Sequence, residues 1–129
     1  MGLEIDKTCA EAQNKELQRK TKEAIQLYEE AYNLGDKISG VHIIRIYFHQ
    51  AMISKKDLEA AQSAFDWCRK LYPFRKEGLL SACVSLYYKY ESYDLGNNIL
   101  QYMTNQAKSG DEEAQKQLNI IKEKISCEK

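Results

Sequence analysis

Four positions of this chain recur at a constant offset of 37 residues, and no other feature constrains the fold as strongly. Ala24, Tyr28, Ala31 and Asp36 return as Ala61, Phe65, Cys68 and Pro73, and a looser third copy, one residue late, stands at Ile99, Met103, Gln106 and Asp111. Spacings of four and then three put the first three members on one helical face. Pro73, the only proline in the chain, ends its helix. Small side chains at the first and third positions let helices approach closely, and the aromatic between them fills the groove of an adjacent hairpin. A packing requirement repeated along the chain points to stacked helical hairpins rather than an ordinary up-and-down bundle.

The segments between the ladders support that reading. Residues 3 to 18 are rich in helix formers and contain no Gly or Pro, with a thin apolar face of Ile5, Cys9, Ala12 and Leu17 suited to an end cap. Thr21 can cap a second helix that turns Ala24, Leu27, Tyr28 and Ala31 inward and stops at Gly35. Asp36 is placed to cap a third helix running to about residue 53. Its apolar residues lie nearly all round, and a β-strand over 41 to 48 competes with it because those residues are β-branched and aromatic; length and the helical periods on both sides favour the helix. Asp57 caps the helix that carries the second ladder to Tyr72.

A fifth helix is expected to begin near Arg75 and to carry Leu79, Leu80, Ala82, Cys83, Val84 and Leu86. Ser92 and Asp94 mark a sixth, from about 93 to 108, with Leu95, Ile99, Leu100, Tyr102 and Met103 inward. Gly110 ends it. Asp111 opens a last helix whose inner face is Ala114, Leu118, Ile121 and Ile125. Seven helices joined by short turns must run antiparallel to their neighbours. The expected fold is all-α: antiparallel helical hairpins stacked as a short α-solenoid, in one domain over residues 1 to 129. Its repeat units are about 3–36, 37–73 and 74–110, with a capping helix at 111–126.

Alanine, an aromatic four on, a small residue three further and proline five after that is similar to the second helix of a tetratricopeptide repeat, whose period is about 34. The LGD at 34–36 and the run AKSGDEEAQKQL at 107–118 resemble Sel1-like repeats, whose units are somewhat longer. The first-helix pattern of these families is approximated only by Leu80 with Ser81 and by Ile43 with Tyr47. Trp67 lies away from the usual tryptophan position and reads as a packing residue or a partly exposed anchor. The resemblance implies a concave face, lined by first helices, that binds a peptide or helix of a partner. On this chain the corresponding positions are Arg45, Phe48 and His49 on the third helix and Ser85, Tyr88 and Lys89 on the fifth. Tyr and Arg concentrate binding energy because they join a large contact area to a hydrogen-bonding tip. Arg69, Lys70, Arg75 and Lys76 around Pro73 form a second, basic candidate patch suited to an acidic tail.

Composition narrows the partners. Nineteen basic residues balance nineteen acidic ones, so no long-range field draws the protein to nucleic acid or an anionic membrane. The most apolar run, VHIIRIYF, is interrupted by His42 and Arg45 and is far short of the roughly 20 apolar residues of a spanning helix. His42 and His49, two helical turns apart, could share one side of their helix as surface or partner-facing residues, but they form no His-Glu-x-x-His metal motif. With no phosphate loop, nucleophile elbow or metal pattern in the sequence, the expectation is a non-enzymatic binding module without cofactor or metal. The alternative is a small bacterial chaperone or immunity protein that sequesters one secreted protein or toxin. Cytoplasm is the default compartment. A periplasmic or secreted location would follow from a removed signal, and pairing of Cys68 with Cys83, or of Cys9 with Cys127, would accompany it.

Overall fold

The computed structural model describes residues 2–128, and their side chains from 3 to 124. Among the described residues there are seven helices and no strand: α1 (Gly2–Leu17), α2 (Thr21–Asn33), α3 (Ile38–Ile53), α4 (Leu58–Leu71), α5 (Leu79–Tyr90), α6 (Asp94–Lys108) and α7 (Glu112–Glu128). The region 41–48, where a strand competes on propensity, is helical throughout. Its neighbours are helices, so backbone groups satisfied within the segment leave β-branched side chains free to pack. The chain divides into two compact units, Met1–Arg75 and Lys76–Lys129.

In the first unit α1 packs on α2, α2 on α3 and α3 on α4. The ladder positions are its interior: Ala24, Ala31, Ala61 and Phe65 are 0% exposed, and Tyr28 and Cys68 are 1% exposed. Ala12, Ile25, Ile43 and Ile46 complete a core around Tyr28, with Leu27, Tyr47 and Trp67 packed against it. Trp67 stands edge-on to Tyr32 at 5.2 Å, which makes it a packing residue. Leu17, read from sequence as inward, is exposed; α1 turns Glu16 toward its neighbours instead.

The turns explain the last position of the ladder. After α2, Gly35 has φ +117°, Asp36 N–H donates to Ala31 O at 3.0 Å, and the Asp36 carboxylate accepts from Ile38 N–H at 3.2 Å. After α6, Gly110 has φ +99°, Asp111 N–H donates to Gln106 O at 3.1 Å, and its carboxylate accepts from Ala114 N–H at 3.1 Å. Each Gly-Asp pair therefore closes one helix with a bond spanning six residues and satisfies an N–H at the start of the next. At the α1–α2 turn Arg19 takes the positive φ (61°) and Lys20 occupies the cap position, so Thr21 is already helical and does not cap. Asp57 does cap α4, accepting from Ala60 N–H at 3.0 Å.

The second unit packs α5 on α6 and α7, and α6 on α7. Leu80, Cys83, Leu86, Tyr90, Leu95, Ile99, Met103, Ala114, Leu118 and Ile121 are buried; Ile125 lies outside the described side chains. Helix α5 starts at Leu79, after Gly78 with φ +76°, and not near Arg75. Residues 73 to 78 are exposed, so no buried face holds them in a helical turn. Cys68 and Cys83 are buried thiols with no disulfide between them, Cys9 is likewise unbridged, and Cys127 lies outside the described side chains. No helix among the described residues is long and apolar enough to cross a membrane.

Candidate protein-binding groove

Three helices of the first unit meet around one carboxylate. Glu16 on α1 accepts a hydrogen bond from the Tyr28 hydroxyl of α2 and two contacts from the Arg45 guanidinium of α3, at 2.7 and 2.9 Å. The Tyr28 ring stacks on His42 at 4.9 Å, 19° from parallel, and Arg45 also reaches His42 Nδ1 at 3.4 Å. Since arginine only donates, that nitrogen is the acceptor of a neutral imidazole. Burial pushes the Glu16 carboxyl up, but the hydrogen bonds from Arg45 and Tyr28 and the charge of Arg45 together outweigh it and hold the carboxyl below its ordinary value. Burial and the Glu16 hydrogen bond push the Tyr28 phenol well up. Below this cluster Cys9 donates to Asp36 Oδ2 at 3.2 Å, the same oxygen that Ser39 reaches at 2.9 Å. Burial pushes the Cys9 thiol up, and Asp36 adds to it; raised thiols of this kind make weak nucleophiles.

His42 is thus half-buried against Tyr28 while His49 is exposed, so the two histidines do not form one surface pair. Burial, and next the charge of Arg45, hold the His42 imidazole below its ordinary 6.5, with Glu16 and Asp36 pulling the other way. A histidine kept neutral in the fold binds its proton more readily in the unfolded chain. Its contribution to stability is therefore whole above pH 6.5 and is lost as pH falls through the lower folded value. Denaturant midpoints of the wild type should fall from pH 7.5 towards 5, and His42→Gln should show a shallower fall. Equal slopes for the two proteins would show that His42 is not the titrating group.

Two open clefts lie on this unit, and Glu16 and Arg45 of the cluster line the smaller of them. The smaller, about 360 Å³, is lined by Glu16, Thr21, Arg45, Ile46, His49 and Gln50. The larger, about 570 Å³, lies where α2, α3 and the start of α4 converge, with Ile25, Tyr47 and Ala60 among its lining and Glu29, Asp57 and Glu59 around them. Thr21 and Gln50 line both, so the clefts lie side by side on the unit. Volumes of this order seat several side chains of a bound segment.

Of the candidate binding residues, Arg45 and His49 come together at the smaller cleft; Phe48 is half-buried on the same helix and lines neither cleft. Ser85, Tyr88 and Lys89 belong to the second unit. There Ser85 donates to Ser81 O at 3.4 Å, and Lys124 of α7 lies 3.9 Å over the Tyr88 ring. The Tyr88 hydroxyl is buried without a hydrogen-bond partner among the described residues. In the basic patch, Arg69 pairs with Asp66 and Lys70 sits 4.5 Å over Trp67, so both cations are engaged within their own unit. Glu16, Thr21, Tyr47 and Gln50 were not legible as site residues, because their convergence depends on contacts between helices. Among the described residues no group of three His, Cys, Asp or Glu side chains is placed to hold a metal ion. Comparison with protein-family models, curated proteins and solved structures gives no match.

Proposed function

We propose that this chain is a non-enzymatic protein-interaction module of the tetratricopeptide-like or Sel1-like kind, and that its first unit seats a peptide or helical segment of a partner in the groove over α3. The observation that carries this reading is a pair of adjacent clefts that share Thr21 and Gln50, with Arg45 and His49 lining the smaller. Arg45 is held by both oxygens of Glu16, and a guanidinium fixed before binding loses less side-chain entropy when a partner arrives. The remainder of the groove combines apolar contact area with polar tips, the mixture that protein interfaces use.

Site-specific photo-cross-linking tests it. A photoreactive residue at Gln50, in protein added to extract of the native source, should give a discrete adduct, while the same residue at exposed Asn119 of the second unit should not. Arg45→Ala combined with His49→Ala should abolish the Gln50 adduct with helical circular dichroism unchanged. Adducts of equal yield from both positions, or survival of the adduct in the double variant, would overturn the groove. A single stoichiometric adduct would place the protein with dedicated chaperones or immunity proteins, and several weak ones with adaptors.

A further inference from the structure

We propose that the larger cleft selects a lysine or arginine side chain of the partner segment, seated over Tyr47 between Glu29 and Glu59. This rests on the reading that the groove binds a partner protein, and it adds the chemistry by which the partner is chosen.

The floor of the cleft is apolar and aromatic, from Ile25 and Tyr47 to Ala60. Its charged rim is lopsided: Glu29 from α2, with Asp57 and Glu59 from the start of α4, face a single cation, Lys22. The chain as a whole is balanced at nineteen charges of each sign, so this acidity is local. Asp57 already accepts the Ala60 N–H. Glu29 and Glu59 enter no ion pair among the described residues, so two carboxylates lining one cleft are without an ion-pair partner there. Both act on the tyrosine at its floor: burial first, and then the charges of Glu29 and Glu59, push the Tyr47 phenol up.

The aromatic side chains of this unit supply a second, independent observation. Lys37 lies 4.2 Å over Tyr32 and 4.3 Å over Phe74; Arg69 lies 4.6 Å over Phe65; Lys70 lies 4.5 Å over Trp67. Four rings of the unit, Tyr32, Phe65, Trp67 and Phe74, thus lie under its own cations, whereas among the described residues none lies over Tyr47, Tyr28 or Phe48, and of these three only Tyr47 lines the acid-rimmed cleft. A cation brought by the partner would complete the arrangement found elsewhere. It would gain the attraction of the ring and charge-assisted hydrogen bonds to one or both carboxylates. A glutamate at the same place in the partner would meet like charge and be rejected. Selectivity of this kind weakens with salt, because the rim is open to solvent.

The test uses the full chain and fluorescein-labelled pools of short peptides that differ in one fixed central residue: Arg, Lys, Ala or Glu. The Arg and Lys pools should bind about tenfold more tightly than the Ala and Glu pools, the equivalent of about 1.4 kcal/mol. Glu29→Gln with Glu59→Gln should erase that preference, and Glu112→Gln with Glu113→Gln on α7 should leave it intact. A photoreactive residue at Gln50 reports occupancy in the same titrations. Pools that bind and protect Gln50 without preferring Arg or Lys would overturn the cation assignment while leaving the groove standing. No binding by any pool, with Gln50 unprotected, would overturn both. Stronger binding of spermidine than of the Arg pool would overturn the assignment to a protein segment.

Discussion

Replacing Phe65 by alanine should destabilise the protein by about 3–5 kcal/mol, the range for emptying a buried aromatic site. Phe65 is wholly buried on α4 between ladder partners Ala61 and Cys68, both of them small. The enclosure of the site is the reason the cost should be high: truncation leaves a cavity whose cost adds to the lost transfer free energy of the ring. Domains of this size are held by about 5–15 kcal/mol in total, so the loss is a large share of the whole. Denaturant unfolding followed by circular dichroism measures it, with amide hydrogen exchange across α4 as a local check. A loss below about 1 kcal/mol would mean that the site collapses freely and that the ladder is not a packing constraint.

The second large effect comes from a glycine. Gly96 sits in the first turn of α6, and a Cβ there would lie 2.6 Å from Glu91 Cα, 2.8 Å from Glu91 O and 2.9 Å from Glu91 C. All three are backbone atoms, so no rotamer change relieves the overlap. On an exposed helix Gly→Ala gains about 1 kcal/mol from propensity. Here Gly96→Ala should instead cost about 3 kcal/mol, the upper part of the range for overpacking, because the α5–α6 turn must move as a body. Thermal unfolding of the variant beside the wild type decides the sign. A stabilised variant would show that the turn between Glu91 and Tyr93 gives way easily. Gly40 differs in degree: an added Cβ would meet the Tyr32 ring at 3.2 Å and Leu71 at 3.3 Å, side chains that can shift.

These two positions mark how far the sequence could be read. Phe65 was legible because its spacing to Ala61 and Cys68 is helical and the same spacing recurs around Tyr28. Gly96 was not, since nothing near it in sequence distinguishes a glycine under a backbone from one in open space. The Gly-Asp pairs at 35–36 and 110–111 were legible as turns, because the required positive φ and the capping carboxylate are properties of neighbouring residues. The start of α5 is not legible for the complementary reason: Arg75, Lys76 and Glu77 are acceptable in a helix, but no buried face demands that they form one. Hydropathy alone places Leu17 inward. Glu16 points there instead, because Tyr28 and Arg45 together satisfy its charge.

The groove lies further still from the sequence. Arg45 and His49 could be singled out as exposed candidates on one helix, but the choice of Glu16 as the anchor of Arg45 joins residues 29 positions apart. The convergence of Glu29, Tyr47 and Glu59 joins three helices.

What the chain determined by itself is its division into helices, the turns between most of them, and the buried ladder of Ala24, Tyr28, Ala31, Ala61, Phe65 and Cys68. Those features follow from periodicity and capping, which act between residues a few positions apart. The tertiary structure alone decided that Glu16, Tyr28, His42 and Arg45 form one network, that Gly96 lies under the backbone of Glu91, and that an acid-rimmed cleft opens over Tyr47. Each depends on the rotation and register of one helix against another, which are set by the packing of whole faces and leave no local signature.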